Sequence, residues 1–121
     1  MKSRLLLLVS VVLLVFLATS CKKEDPVVSF DENLIIGKWK TGTLFERYNA
    51  DKTGATWDTS DDVTEAEAQP FTWSIVKDEL EQIHIMQNNV TVPKVYTVTV
   101  LTATTLEYKD NYGKTYSFTK Q

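Results

Sequence analysis

One histidine, one cysteine and a cluster of carboxylates are the side chains of this 121-residue chain on which chemistry could be built. His84 has no second histidine with which to share a metal, and a zinc site draws three or four ligands from His, Cys, Asp and Glu. It stands between Ile83 and Ile85 in a strand-like stretch, so with the isoleucines inward His84 is expected to face out as an ordinary strand residue. Asp58, Asp61, Asp62, Glu65 and Glu67 place five carboxylates within ten residues, and no lysine or arginine occurs from Thr53 to Val76. Calcium favours such oxygen ligands, but the EF-hand frame fails in both settings. Begun at Asn49 it puts Gly54 in place and Ser60 where a bidentate glutamate is needed; begun at Asp58 it puts Val63 at the glycine position. A solvated acidic loop is therefore expected, and no metal or cofactor is assigned. No Gly-rich phosphate loop and no Gly-x-Ser-x-Gly elbow appears, so the chain is expected to bind rather than catalyse.

Aromatic side chains offer the alternative. Trp57 and Trp73 flank the acidic loop, and aromatics beside carboxylates suit sugars or cationic amphiphiles. With Phe45 and Tyr96 they are the candidate ligand-binding residues. Small barrels fill their interiors with their own side chains, so core packing competes for Trp73.

These residues must be held by strands. Gly37 to Thr41 opens a long stretch that reaches Tyr48, with Leu44, Glu46 and Tyr48 on one face and Phe45 and Arg47 on the other. Asn49 to Gly54 is rich in turn formers, and Ala55 to Asp58 returns. Phe71, Trp73 and Ile75 alternate with Thr72, Ser74 and Val76, a period of two. Further strands are expected over Leu80 to Met86, Val95 to Leu101, Leu106 to Asp110 and Thr115 to Thr119, with Asn88-Asn89 and Asn111-Tyr112-Gly113 as breaks. The count predicts an all-β antiparallel up-and-down meander of seven or eight strands. Two segments fall outside it. Phe30 to Ile36 is expected to make one helical turn. Ser60 to Ala68 is expected to carry a brief helix, with Asp61 and Asp62 at its positive end, Thr64 and Glu67 as a capping box, and Pro70 as its stop.

The first twenty residues differ from all this. Lys2 and Arg4 precede an apolar run from Leu5 to Ala18 broken only by Ser10, and Ala18-Thr19-Ser20 supply small residues before Cys21. Fourteen residues are too few to span about 30 Å of hydrocarbon and match a secretory h-region. Without residues 1–20 the basic count falls from 13 to 11 against 16 acidic residues, a net charge of −5. Nucleic acid, which needs a basic face, is not an expected partner. No second cysteine exists for an internal disulfide, so a domain of about a hundred residues must rely on its core.

With cysteine directly after the small-residue exit, this leader resembles the lipobox of bacterial lipoproteins, although Ala18 stands where leucine is favoured. The resemblance implies that Cys21 becomes the acylated first residue of the mature chain and that the membrane is a partner through those acyl chains. Lys23-Glu24-Asp25 resembles the signals that send some Gram-negative lipoproteins to the surface of the outer membrane. Residues 21–32 would then be the lipidated end and linker, and 33–121 the folded domain. Gly37-Lys38-Trp39, at the start of the first strand after a helical turn, resembles the Gly-x-Trp element of lipocalins. Together with Asn49 to Gly54, Phe71 to Ile75 and Tyr112 to Phe118, it makes the domain similar to compact lipocalin-like domains of small bacterial lipoproteins. The resemblance implies a barrel with Gly37 and Trp39 plugging one end. It does not extend to the arginine that stacks on that tryptophan near the chain's end in large lipocalins: Arg47 is the only arginine after the leader. Two functions are expected from this reading. One is a cell-envelope binding module for a small apolar or glycan ligand; the other is a protein-interaction module, an inhibitor or accessory subunit of an outer-membrane complex.

Overall fold

The computed structural model describes residues 28–121; the expected leader, Cys21 and the tether up to residue 27 lie outside the described residues. Eight strands follow one another: β1 (Gly37–Thr41), β2 (Leu44–Tyr48), β3 (Thr53–Asp58), β4 (Gln69–Val76), β5 (Glu79–Ile85), β6 (Thr91–Leu101), β7 (Thr105–Lys109) and β8 (Thr115–Lys120). Each pairs antiparallel with the next, and β1 returns to β8 through Trp39–Lys120 and Lys40–Thr119, closing the barrel. Closure leaves no free sheet edge along the paired strands. Tight turns make the meander possible, and Lys52, Lys77 and Asn89 supply the left-handed backbone that three of them need.

The period of two sorts the side chains. Trp39, Tyr48, Phe71, Trp73, Leu80, Val98, Leu106, Tyr108 and Phe118 turn inward and interlock as the core. Their rings meet edge-on or tilted, as in Tyr48 against Phe71 and Trp73, with centroids 5.4 and 5.6 Å apart. Gly54 belongs to this inner face and not to the preceding turn, because a Cβ there would collide with the Phe71 ring and the Arg47 carbonyl.

One end of the barrel is sealed. Glu32–Ile35 forms a 3-10 turn, with the Asp31 carboxylate accepting from the Asn33 N–H at 3.0 Å. It places Ile35, fully buried, against the core. The Trp39 indole Nε1–H donates to the Ile35 carbonyl at 2.7 Å. Lys120 Nζ donates to the Leu34 and Ile36 carbonyls at 3.2 and 2.5 Å and sits 4.9 Å over the Trp39 ring. Gly37 lets the chain pass: its φ is +134°, and any Cβ there would meet the Lys120 side chain.

At the opposite end lie the β1–β2, β3–β4, β5–β6 and β7–β8 connections, and two details there differ from the sequence expectation. The β3–β4 loop carries two 3-10 turns, Thr59–Asp61 and Glu65–Glu67, and its helix cap is Asp58, whose carboxylate accepts from the Ser60 N–H at 2.9 Å. Thr64 stands at the N-cap position of the second turn but makes no side-chain cap bond; its hydroxyl bonds the Glu67 carboxylate at 3.0 Å instead of a backbone N–H. The sixth strand begins at Thr91, four residues before the expected Val95, and runs through Pro93. Proline is tolerated because β7 does not reach it: the first β6–β7 partners are Thr97 and Lys109. The first half of β6 pairs with β5 alone, which leaves a gap in the wall at this end.

Candidate functional site

Below the unsealed end lies a buried polar layer. Glu46 is only 4 % exposed, with both oxygens engaged. The Tyr48 and Tyr108 hydroxyls donate to it, as does the Gln82 amide at 3.0 Å. These inner-facing side chains come from β2, β5 and β7 and meet through those bonds across the barrel interior. Gln82 commits its amide nitrogen to Glu46 and Tyr48, so its oxygen faces His84 Nε2 at 2.8 Å. His84 Nδ1 lies 3.0 Å from the Gln69 side-chain oxygen, so both ring nitrogens face amide oxygens and the neutral ring donates to one of the two. Burial raises the Glu46 carboxyl above its ordinary range, although its three hydrogen bonds act to lower it. Burial, with a smaller effect from the nearby Lys94 charge, lowers His84 to about 4. Both tyrosine hydroxyls are pushed up by burial and by the Glu46 charge, so they act as donors.

The expectation that His84 faces out is thus corrected: it is 3 % exposed and inside. Pairing decides this. Phe71 stands opposite His84 and Trp73 opposite Gln82, so the inward β4 aromatics carry Leu80, Gln82 and His84 inward with them. Ile83 and Ile85 take the outer face and remain half-buried there.

Above this layer the gap beside β6 forms a cleft of about 410 Å³. Lys94 and Tyr96 line it from β6, Asp110, Asn111 and Tyr112 from the β7–β8 turn, and Tyr116 from β8. The turn is pinned. Asp110 Oδ1 accepts from the Tyr112 and Lys114 N–H groups, both at 2.9 Å, while the Gly113 N–H reaches the Asp110 carbonyl at 3.2 Å. Tyr112 consequently stands out from the surface, 95 % exposed. Tyr96 packs on Tyr108 with centroids 4.3 Å apart, joining the cleft to the polar layer, and its phenol is pushed up to about 12, chiefly by burial.

Of the four candidate ligand residues, Tyr96 alone lies in this cleft. Trp73 belongs to the core near the sealed end, its Nε1–H donating to the Asn49 and Thr53 carbonyls at 3.2 and 3.0 Å. Phe45 and Trp57 pair across β2 and β3 on the outer face and stack nearly parallel, 5.1 Å apart. Lys38 lies over both rings, and Trp57 is only 5 % exposed. Trp57 therefore does not line the mouth. The acidic loop folds beside this stack, where Glu65 pairs with Arg47 and, at 3.5 Å, with Lys38. Those cations hold the Glu65 carboxyl below its usual range. Among the described residues no group of three or more His, Cys, Asp or Glu side chains is gathered as a metal requires.

Lys94, Asp110, Asn111, Tyr112 and Tyr116 are not marked as a group by any local pattern in the sequence. The signal the chain offers is the break at Asn111-Tyr112-Gly113, a turn carrying a large aromatic between the strands that hold Tyr108 and Tyr116. Comparison with protein-family models, with curated proteins and with solved structures finds no significant match for this chain.

Proposed function

We propose that this protein is a lipid-anchored module of the bacterial cell envelope that binds a small ligand at the open mouth of a lipocalin-like barrel. The observation that carries the reading is the cleft of about 410 Å³ beside β6, of the size that small-molecule sites have, at the end opposite the plug. Its walls are tyrosines, Pro93, Val95 and a few polar groups, and Tyr96 packs against a fully bonded inner layer that fixes its position. The lipocalin likeness draws support from the sealed end. There the first-strand tryptophan is covered by a turn and by Lys120, a cation near the chain's end in the place for which the sequence offered no arginine. Cys21 with its leader supports anchoring, and the tether enters the domain at the sealed end, where the Phe30 N–H donates to the Lys77 carbonyl at 3.3 Å. The leader supports an outer-membrane location, and the resemblance of Lys23-Glu24-Asp25 to surface signals supports placing the domain at the cell surface.

A second reading, docking of a partner protein, draws support from Met86, Val90 and Val92, exposed apolar residues on the β5–β6 hairpin near the mouth. Native mass spectrometry of the protein released from its own membranes separates the two. A small-molecule adduct present in the wild type and lost in Tyr116→Ala supports the ligand reading. A co-purifying protein lost in Val90→Glu, with no small adduct, would favour the second.

A further inference from the structure

The groups around the cleft select among ligands by charge and by hydrogen bonding. Lys94 is a cation and Asp110 an anion, and among the described residues neither has an ion-pair partner. A ligand of either single charge is attracted by one and repelled by the other. An aliphatic chain fares worse, because burying it would strip water from an ammonium, a carboxylate and the Asn111 amide with nothing to replace it. The barrel interior offers it no alternative site, being filled by Trp39, Tyr48, Phe71, Tyr108 and Phe118.

A neutral molecule with many hydroxyls meets every requirement, since each hydroxyl both donates and accepts. Asp110 Oδ1 is used by the turn, and its second oxygen has no protein donor among the described residues. The hydroxyls of Tyr96, Tyr112 and Tyr116 are likewise without protein partners there, unlike those of Tyr48 and Tyr108. Tyr112 adds a flat apolar face, 95 % exposed on a turn that four hydrogen bonds hold rigid. A tyrosine presented in this way loses little conformational entropy on contact.

We propose that the cleft takes a neutral carbohydrate, one sugar ring stacked on Tyr112 with its hydroxyls bonded to Asp110, Asn111, Lys94 and the Tyr96 phenol. This rests on the mouth being the binding site and names the ligand class for it.

The test uses the full chain from the membrane fraction in a zwitterionic detergent, followed by amide NMR. Glucose, galactose and N-acetylglucosamine are added singly at millimolar concentration, and hexanol serves as the apolar probe. Saturable shifts from at least one sugar at residues 94–96 and 110–116 are expected. Tyr112→Ala, a surface change that leaves the core untouched, should weaken that binding about tenfold, a plausible size for one lost stacking contact, while Tyr112→Phe should retain it. Shifts at the cleft from hexanol but from no sugar would overturn the carbohydrate proposal and leave the mouth as the binding site. No shift at the cleft from either kind of probe would overturn both. Sugar shifts confined to other residues, or unaffected by Tyr112→Ala, would overturn the carbohydrate site described here.

Discussion

At the scale of single residues, Glu46 and His84 respond to pH in opposite directions although Gln82 joins them. His84 is held neutral by burial, so its folded-state value, about 4, lies below its ordinary 6.5. Its contribution to stability is present above pH 6.5 and is lost as pH falls from there through about 4. That shift corresponds to at most about 3 kcal/mol. Glu46 is raised by the same burial, so its contribution is full below its ordinary 4.5 and is lost as pH rises through its folded-state value. Melting temperatures followed by circular dichroism should therefore show wild type losing more stability than His84→Gln between pH 6.5 and 4. On the alkaline side Glu46→Gln should flatten the decline; parallel curves for the variants and wild type would mean that neither group is held as described. Trp39 fills the space beneath the plug and bonds Ile35. Trp39→Ala should cost about 3–5 kcal/mol in denaturant unfolding. A loss below about 1 kcal/mol would mean that the plug does not depend on it.

At the scale of elements, the acidic loop is the segment where charge and structure meet. One of its carboxylates, Glu65, is paired with cations on β1 and β2 that are remote in sequence. Asp58 is tied to the Ser60 N–H and hydroxyl, which holds its carboxyl below the usual range. Millimolar calcium should therefore leave the melting temperature where magnesium leaves it. A calcium-specific rise of the size expected a hundredfold above a dissociation constant, about 2.7 kcal/mol, abolished by Asp61→Asn with Asp62→Asn, would reveal a site this geometry does not provide. Most strands were legible because alternation and turn residues agree along most of the chain, but Gly37 to Tyr48 reads as one stretch and breaks into β1 and β2 at Gly42, whose φ is +57°. The phase of the alternation was not legible in β5. Glu-Leu-Glu-Gln-Ile-His-Ile carries apolar residues at both parities, and only pairing with Phe71 and Trp73 turns Gln82 and His84 inward. Trp57 was misplaced for a related reason. Gly54 read as a turn residue, but it is the inner strand position that the Phe71 ring requires, and this puts Trp57 outside. The cleft was hidden because it depends on where β7 stops pairing with β6, a long-range fact that no local pattern encodes.

At the scale of the whole molecule, the plug and the mouth give the barrel a direction. The tether enters at the plugged end, and acyl chains on Cys21 would set that end toward the membrane and the mouth toward the surroundings. Cys21→Ser should abolish lipid modification by mass spectrometry and leave the leader uncleaved by the lipoprotein peptidase; a mature wild-type protein with no lipid on Cys21 would remove the anchor from the account. A ligand at the mouth remains the central claim, and hydrogen exchange of the anchored protein tests it most directly. On addition of the small-molecule fraction of its own cell envelope, slowed exchange is predicted at residues 91–96 and 110–116, with β1 to β3 unchanged. Slowing over Phe45 and Trp57 on the outer face, or no slowing anywhere, would contradict it.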